Sequence, residues 1–132
     1  MLIGSLMPQT HQYILLIDDE QSVREVTAEI LREAKVPTLE ASDGLTGIEL
    51  FRTYADKIML VILDYAMPDM NGIQVLERLW HIDSSVPVLL FSGYSQHSIM
   101  QRCECDNAIG FLQKPYTINE LLLAVRQNLK RN

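Results

Sequence analysis

Met59-Leu60-Val61-Ile62-Leu63, closed by Asp64, is an apolar run of strand length that ends on a single carboxylate. Unbroken apolarity, without alternation of polar and apolar residues, is the pattern of a strand covered on both faces, as in a parallel sheet. Tyr13–Ile17 and Pro87–Phe91 read the same way, and shorter runs at Pro37–Ala41 and Ile109–Gln113 complete a set of five strand candidates.

Between the strands the apolar residues change to helical spacing. Val23, Val26, Ile30, Leu31 and Ala34 form one stripe behind the acidic cluster Asp18-Asp19-Glu20. Leu45, Ile48, Phe51 and Tyr54 form a second behind Asp43 as N-cap, and Ile73, Leu76, Leu79 and Trp80 a third opened by Asn71-Gly72. The last stripe is Ile118, Leu121, Leu122, Val125 and Leu129, where Thr117 and Glu120 have the spacing of a capping box. Ser95 to Cys105 carries only Ile99, Met100 and Cys103, which predicts a short or loosely held fourth helix. Strands alternating with helices predict an α/β protein with a doubly wound parallel sheet and right-handed crossovers.

The bulk properties narrow the partners. A chain of 132 residues suits one domain, and 48% hydrophobic with 21% charged residues suits a soluble globular one. With 11 Lys and Arg against 17 Asp and Glu, the net charge of -6 argues against direct nucleic-acid binding, which needs clustered basic residues. The one close basic pair, Lys130-Arg131, reads as a solvated helix end. No apolar stretch has the length to span a bilayer. Residues 1–11 lack a basic n-region and a continuous apolar core, so they read as a leader or linker remnant ahead of a domain at 12–132, and cytoplasm is the expected compartment. Cys103 and Cys105 have no histidine at ligand spacing and read as reduced thiols near a helix end.

Open sheets of this kind bind ligands at the C-terminal strand ends. There the sequence places Asp18-Asp19, Asp64, Ser92 and Lys114-Pro115, on four different strands. Three carboxylates brought close repel, and a hard divalent cation with oxygen ligands, Mg²⁺ above all, relieves them. A lysine ammonium and a serine hydroxyl suit phosphate oxygens. Each residue has an ordinary reading as well. A lone Asp at a strand end is commonly a turn or cap residue, the acidic run suits a first helical turn, Ser92-Gly93 suits a turn, and Lys114 a solvated lysine. Their convergence at one sheet edge, with complementary charge, favours a site.

Ile17-Asp18-Asp19-Glu20, the run Leu63-Asp64-Tyr65-Ala66-Met67-Pro68-Asp69-Met70-Asn71-Gly72, and Phe111-Leu112-Gln113-Lys114-Pro115 resemble the receiver domain of bacterial response regulators, from about Tyr13 to Leu129. The resemblance implies a flavodoxin-like sheet of order 2-1-3-4-5 and a phosphoacceptor of two-component signalling rather than an enzyme that turns over substrates. It implies that Asp64 accepts the phosphoryl group as a carboxylate nucleophile. It also implies that Asp19, Asp64 and the Ala66 carbonyl hold Mg²⁺ directly, and Asp18 through water. Lys114 pairs with the phosphoryl group, Ser92 and Phe111 form the switch, and Lys114-Pro115 is cis. The implied partners are a sensor histidine kinase or histidine phosphotransfer protein, then a downstream target or fused output domain, with pairing of two copies also in keeping with the family. Tyr65-Ala66 and Phe91-Ser92-Gly93-Tyr94-Ser95 are similar to receivers fused to sensor kinases, so the chain reads as a segment of a larger regulator or as a stand-alone one.

Two residues depart from the family's habit: Gly93 stands where Ala is common, and Ala66 offers no polar group to orient water. Two other classes compete, an inert pseudo-receiver and a true enzyme or cofactor binder on the same fold. An inert pseudo-receiver would have lost a site residue, and all are intact here. A flavin carrier would need a phosphate loop after the first strand, where Asp18-Asp19-Glu20-Gln21 stands instead. An aspartyl-phosphate phosphatase would need a second acid two residues past Asp64, where Ala66 stands. The sparse Ile99, Met100 and Cys103 beside Phe111 make the fourth helix, fifth strand and fifth helix the surface expected to change on phosphorylation.

Overall fold

Alternate residues of a strand point to opposite faces, and in this sheet both faces are covered. The structure, a computed structural model, describes residues 12–101 and 109–129. Its elements are β1 (Tyr13–Ile17), α1 (Gln21–Glu33), β2 (Thr38–Ala41), α2 (Gly44–Tyr54), a 3₁₀ turn (Ala55–Lys57), β3 (Ile58–Asp64), α3 (Gly72–Ile82), β4 (Val88–Ser92), α4 (Gln96–Met100), β5 (Gly110–Gln113) and α5 (Ile118–Asn128). All strand pairs are parallel, in the order β2-β1-β3-β4-β5. The chain reverses its winding between β1 and β3, which makes their C-terminal ends the switch point of the sheet.

One face sets Leu15, Ile17, Val61, Leu63, Val88 and Leu90 against Ile48 and Phe51 of α2 and Val75, Leu76 and Leu79 of α3. The other sets Ile14, Leu16, Leu60, Ile62, Leu89 and Phe91 against Ala28 and Leu31 of α1 and Leu121 and Val125 of α5. This double cover is why β1, β3 and β4 admit no polar residue before their last position. Full burial of each such side chain contributes about 1.5–3 kcal/mol.

The strand limits differ slightly from the sequence reading. Pro37 and Pro87 stand just outside β2 and β4, having no N–H to give, yet their carbonyls accept from Ile14 N (3.0 Å) and Val61 N (3.1 Å). At the other end β3 and β4 run on to include Asp64 and Ser92. The helical stripes are narrower than expected. α1 buries Thr27, Ala28 and Leu31, while Val26 is 59% exposed, and Leu45 and Ile118 are exposed too. The sequence stripe on α1 mixes the buried arc with its flank, because Thr27 enters the core in place of Val26. Fourth-helix brevity is borne out in the described part, Gln96–Met100, where Ile99 alone is seen to be fully buried. Residues 1–11, Cys103, Cys105 and Lys130-Arg131 lie outside the described residues. Among the described residues no helix is long and apolar enough to cross a membrane.

Side-chain caps hold the starts of α2, α3 and α5. Asp43 accepts from Thr46 N (2.7 Å), and Asn71 with Gln74 and Thr117 with Glu120 form reciprocal capping boxes. α1 ends in a Schellman arrangement, with Val36 N donating to Leu31 O (3.0 Å) and Lys35 N to Arg32 O (2.9 Å). That geometry puts Lys35 at φ 67°, a left-handed conformation that favours glycine. Lys35→Gly is therefore expected to stabilise the fold by about 0.5–1 kcal/mol, the relief of strain exceeding the added freedom of the unfolded chain. A urea melt in which the variant is less stable than the parent would contradict this account of the turn.

Candidate functional site

Backbone pairing carries the polar residues to one edge. Asp18 follows β1, its N–H donating to Ala41 O of β2 (3.1 Å). Its carboxylate is fully buried, and Oδ1 accepts from Glu20 N (2.9 Å), which turns the chain into α1. Asp64 ends β3, where Tyr65 N donates to Phe91 O (2.8 Å) and Gly72 N returns to Tyr65 O (2.7 Å). A methyl group on Gly72 would lie 2.8 Å from Tyr65 Cα and 3.0 Å from Asp64 O, so only glycine lets α3 start against the loop that carries the acid. Ser92 ends β4 fully buried, its Oγ accepting from Tyr94 N (2.9 Å). Ser92 O accepts from Lys114 N (2.8 Å), which ties the lysine loop to β4.

Lys114 completes the edge. Its Nζ lies 3.4 Å from Asp64 Oδ1 and 3.5 Å from Asp18 Oδ2, with both carboxylates buried. The bond from Lys114 to Pro115 is cis. Beyond it Tyr116 packs its ring on Phe91 (4.8 Å between centroids) and shares a 2.8 Å hydrogen bond with Thr27 of α1. Burial raises the Tyr116 hydroxyl above the ordinary tyrosine range.

The charges are out of balance. Oxygens of Asp18, Asp19 and Asp64 lie within 4.8 Å of one another, and one ammonium faces them. Burial first, and the Asp18 charge second, push Asp64 up from 3.8 to about 7, against the pull of Lys114. A hydrogen bond to Asp19, which needs the proton, acts in the same direction. Burial works against the Lys114 ammonium, but Asp64 and Asp18 outweigh it and hold Lys114 above the ordinary lysine range. The donor set is all oxygen, partly open to solvent and short of positive charge, and so fits a hard divalent cation such as Mg²⁺.

Above the acids lies an open cavity of about 530 Å³, lined among the described residues by Asp19, Glu20, Asp64, Ala66, Gly93, Tyr94 and Lys114. Ala66 lines the same cavity as Asp64. Asp18 and Ser92 are fully buried and are not among the residues lining it. Phe111 is not among the residues lining it; half-buried on β5, it packs against the core cluster of α2 and α3. A methyl group on Gly93 would meet nothing within 4 Å, and among the described residues no glycine has positive φ, so nothing in the packing requires glycine there.

Two participants were not foreseen. Tyr94, 53% exposed, stands edge-on to Tyr65 (5.9 Å, 86°) at the rim of the cavity. Arg24 of α1 donates from Nη1 to Asp18 O (2.8 Å) and pairs through Nε with Glu40 of β2 (3.5 Å). Tyr94 lies in the run Phe91-Ser92-Gly93-Tyr94-Ser95, and Arg24 carries no signal beyond its place in the first turns of α1.

The site is thus a cluster of acids at the ends of β1 and β3, met by a lysine from the loop after β5, at the switch point of a doubly wound parallel sheet. The model described as the response regulator receiver domain matches residues 14–126, and the chain belongs to that family. It is similar to the sensor kinase CckA of Brucella abortus (strain 2308), 26% identical over 118 residues that cover 89% of this chain and 12% of the kinase. Sporulation initiation phosphotransferase F of Bacillus subtilis (strain 168) is 28% identical over 119 residues, 90% of this chain and 94% of that protein. Among solved structures, the receiver domain from hybrid histidine kinase CckA superposes with a TM-score of 0.75 at 32% identity, covering 87% of this chain and 96% of that one. Vibrio cholerae chemotaxis protein CheY4 shares the fold, with a TM-score of 0.82 at 22% identity over 89% of this chain and 98% of that one.

The raised Asp64 has a direct consequence for stability. The unfolded carboxyl ionises near 3.8 and the folded one near about 7, so in that window the folded state holds the extra proton and stability falls as pH rises. Asp64→Asn, which mimics the neutral form, is expected to be more stable than the parent at pH 8 without divalent cations. At about 1.4 kcal/mol per pH unit the gap is at most about 4 kcal/mol, and it closes as pH falls towards 4. Denaturation curves at several pH values that show no gap, or one that widens in acid, would count against this electrostatic picture.

Proposed function

We propose that the chain accepts a phosphoryl group on Asp64, in a Mg²⁺-dependent reaction, from the phosphohistidine of a sensor histidine kinase or a histidine phosphotransfer protein. The observation that carries this reading is Lys114 Nζ poised between Asp64 and Asp18 at the floor of the cavity. Asp19, Asp64 and the Ala66 carbonyl would hold the cation directly, and Asp18 through water. When bound, Mg²⁺ supplies positive charge that offsets the acids and the transferring group.

The remaining work falls to the chain. An Asp64 carboxylate oxygen bonds to phosphorus as the bond from phosphorus to the imidazole nitrogen breaks, and its electron pair leaves with that nitrogen. Lys114, held above the ordinary lysine range, stays cationic at neutral pH and pairs with a phosphoryl oxygen. Ser92 Oγ at present accepts from Tyr94 N, which leaves its own O–H to donate to a second oxygen. Ser92 moving towards the phosphoryl group, with Phe111 following from its half-buried place, is the proposed relay to the surface of α4, β5 and α5.

A protein donor is supported by the surface beside the site. Val26 and Ile118 are 59% and 57% exposed, and an apolar hollow of about 330 Å³ lies between α1 and the Lys114 loop, lined by Val23, Val26, Pro115 and Tyr116 among others. Such a patch suits a helical partner that brings its histidine to the cavity. Val26→Asp with Ile118→Asp is expected to slow transfer from phosphorylated histidine donors by about tenfold or more, the equivalent of roughly 1.4 kcal/mol. The rate with acetyl phosphate serves as the control, and a loss seen equally with both donors would argue against a docking role.

The reading as a whole is tested by intact mass after incubation with acetyl phosphate, with and without Mg²⁺. The parent chain is expected to gain one phosphoryl group only with the cation, and Asp64→Asn none. No gain by a folded parent that binds Mg²⁺ would favour an inert module that works through protein contacts alone.

A further inference from the structure

Arg24 is mostly buried, its side chain 15% exposed, in the first turns of a helix whose outer face is open to water. Its pairing with Glu40 at 3.5 Å is partly exposed and also shared with Arg32 at 3.8 Å, and such ion pairs gain little. The tighter contact is the 2.8 Å hydrogen bond from Nη1 to Asp18 O. That oxygen belongs to the peptide plane that joins Asp18 to Asp19. Fixing it sets the direction in which the chain leaves Asp18, and so where the Asp19 carboxylate comes to lie.

Besides its pairing with Lys114, Asp18 is held at its N–H by Ala41 O, at its carboxylate by Glu20 N, and at its carbonyl by Arg24. Lys114 reaches the same carboxylate at 3.5 Å, but among the described residues only Arg24 brings a side chain from another element to the Asp18 backbone. Glu40 holds the far side of the guanidinium, so the clamp runs from the Asp18–Asp19 peptide through α1 to β2. The guanidinium also places a positive charge at the Asp18 carbonyl.

We infer that Arg24 is a positioning residue that orients the Asp18–Asp19 peptide and thereby prepares both carboxylates for a divalent cation. The inference rests on the Mg²⁺ reading of the site given above. Arg24 does not touch the cation; it acts through the backbone of the residues that do. Groups that orient metal ligands from behind typically change metal affinity by tenfold or more when removed.

The test is a Mg²⁺ titration followed by amide chemical shifts, which report both affinity and the integrity of the fold. Arg24→Met, which keeps the apolar stem, is expected to weaken Mg²⁺ binding about tenfold. The Mg²⁺ concentration for half-maximal phosphorylation by acetyl phosphate should rise in parallel, and Arg24→Lys, with one donor for the carbonyl, should recover part of the affinity. If Arg24→Met does not fold, Glu40→Gln loosens the clamp from its other end and is expected to weaken binding in the same direction, by about threefold. A folded Arg24→Met that binds Mg²⁺ within about twofold of the parent would overturn the inference and leave the site reading standing. A folded parent chain that binds no Mg²⁺ would overturn that reading itself.

Discussion

Lys114 reaches from the end of β5 to two buried carboxylates, one just after β1 and one at the end of β3, and this contact governs how the rest of the edge is arranged. One ammonium between two acids leaves an excess of negative charge that burial makes costly. The chain answers at several points. Asp18 takes a backbone N–H from Glu20, Arg24 stands behind its carbonyl, and Asp64 keeps its proton into the neutral range. A site left short of positive charge suits a hard divalent cation with oxygen ligands.

The lysine in turn depends on its own supports. Its N–H is held by Ser92 O, and two residues on, Tyr116 is wedged between Phe91 and Thr27. The β5–α5 loop is therefore tied to β4 and to α1 at once. Ser92 ties the backbone of Tyr94 through its side chain and that of Lys114 through its carbonyl. A displacement of Ser92 would be felt in both loops, which is the property a relay needs.

Much of this was legible in the sequence, and for stated reasons. β1, β3 and β4 declare themselves because helices cover both faces, so every residue before the last has to be apolar. Asp18, Asp19, Asp64, Ser92 and Lys114 stand out because residues of those types end apolar runs. Other features had no such mark. Val26 and Ile118 fit a helical stripe as well as buried residues do, and only packing separates the core arc from its flank. Thr27 is a polar residue in the core because its partner Tyr116 is 89 positions away. Arg24 acts on a carbonyl, which every residue has, and Lys35 occupies a turn where glycine would be expected.

The polar edge draws one residue or more from each of β1, β3 and β4 and from the loop after β5, so no smaller fragment of the sheet contains it. Whatever binds there binds the finished fold and none of its partial forms, and lowers the population of opened chains by mass action. Proteases in a cell act on those opened chains. The supply of ligand for this edge would then help to set how long each copy of the protein survives, separately from any signal it carries.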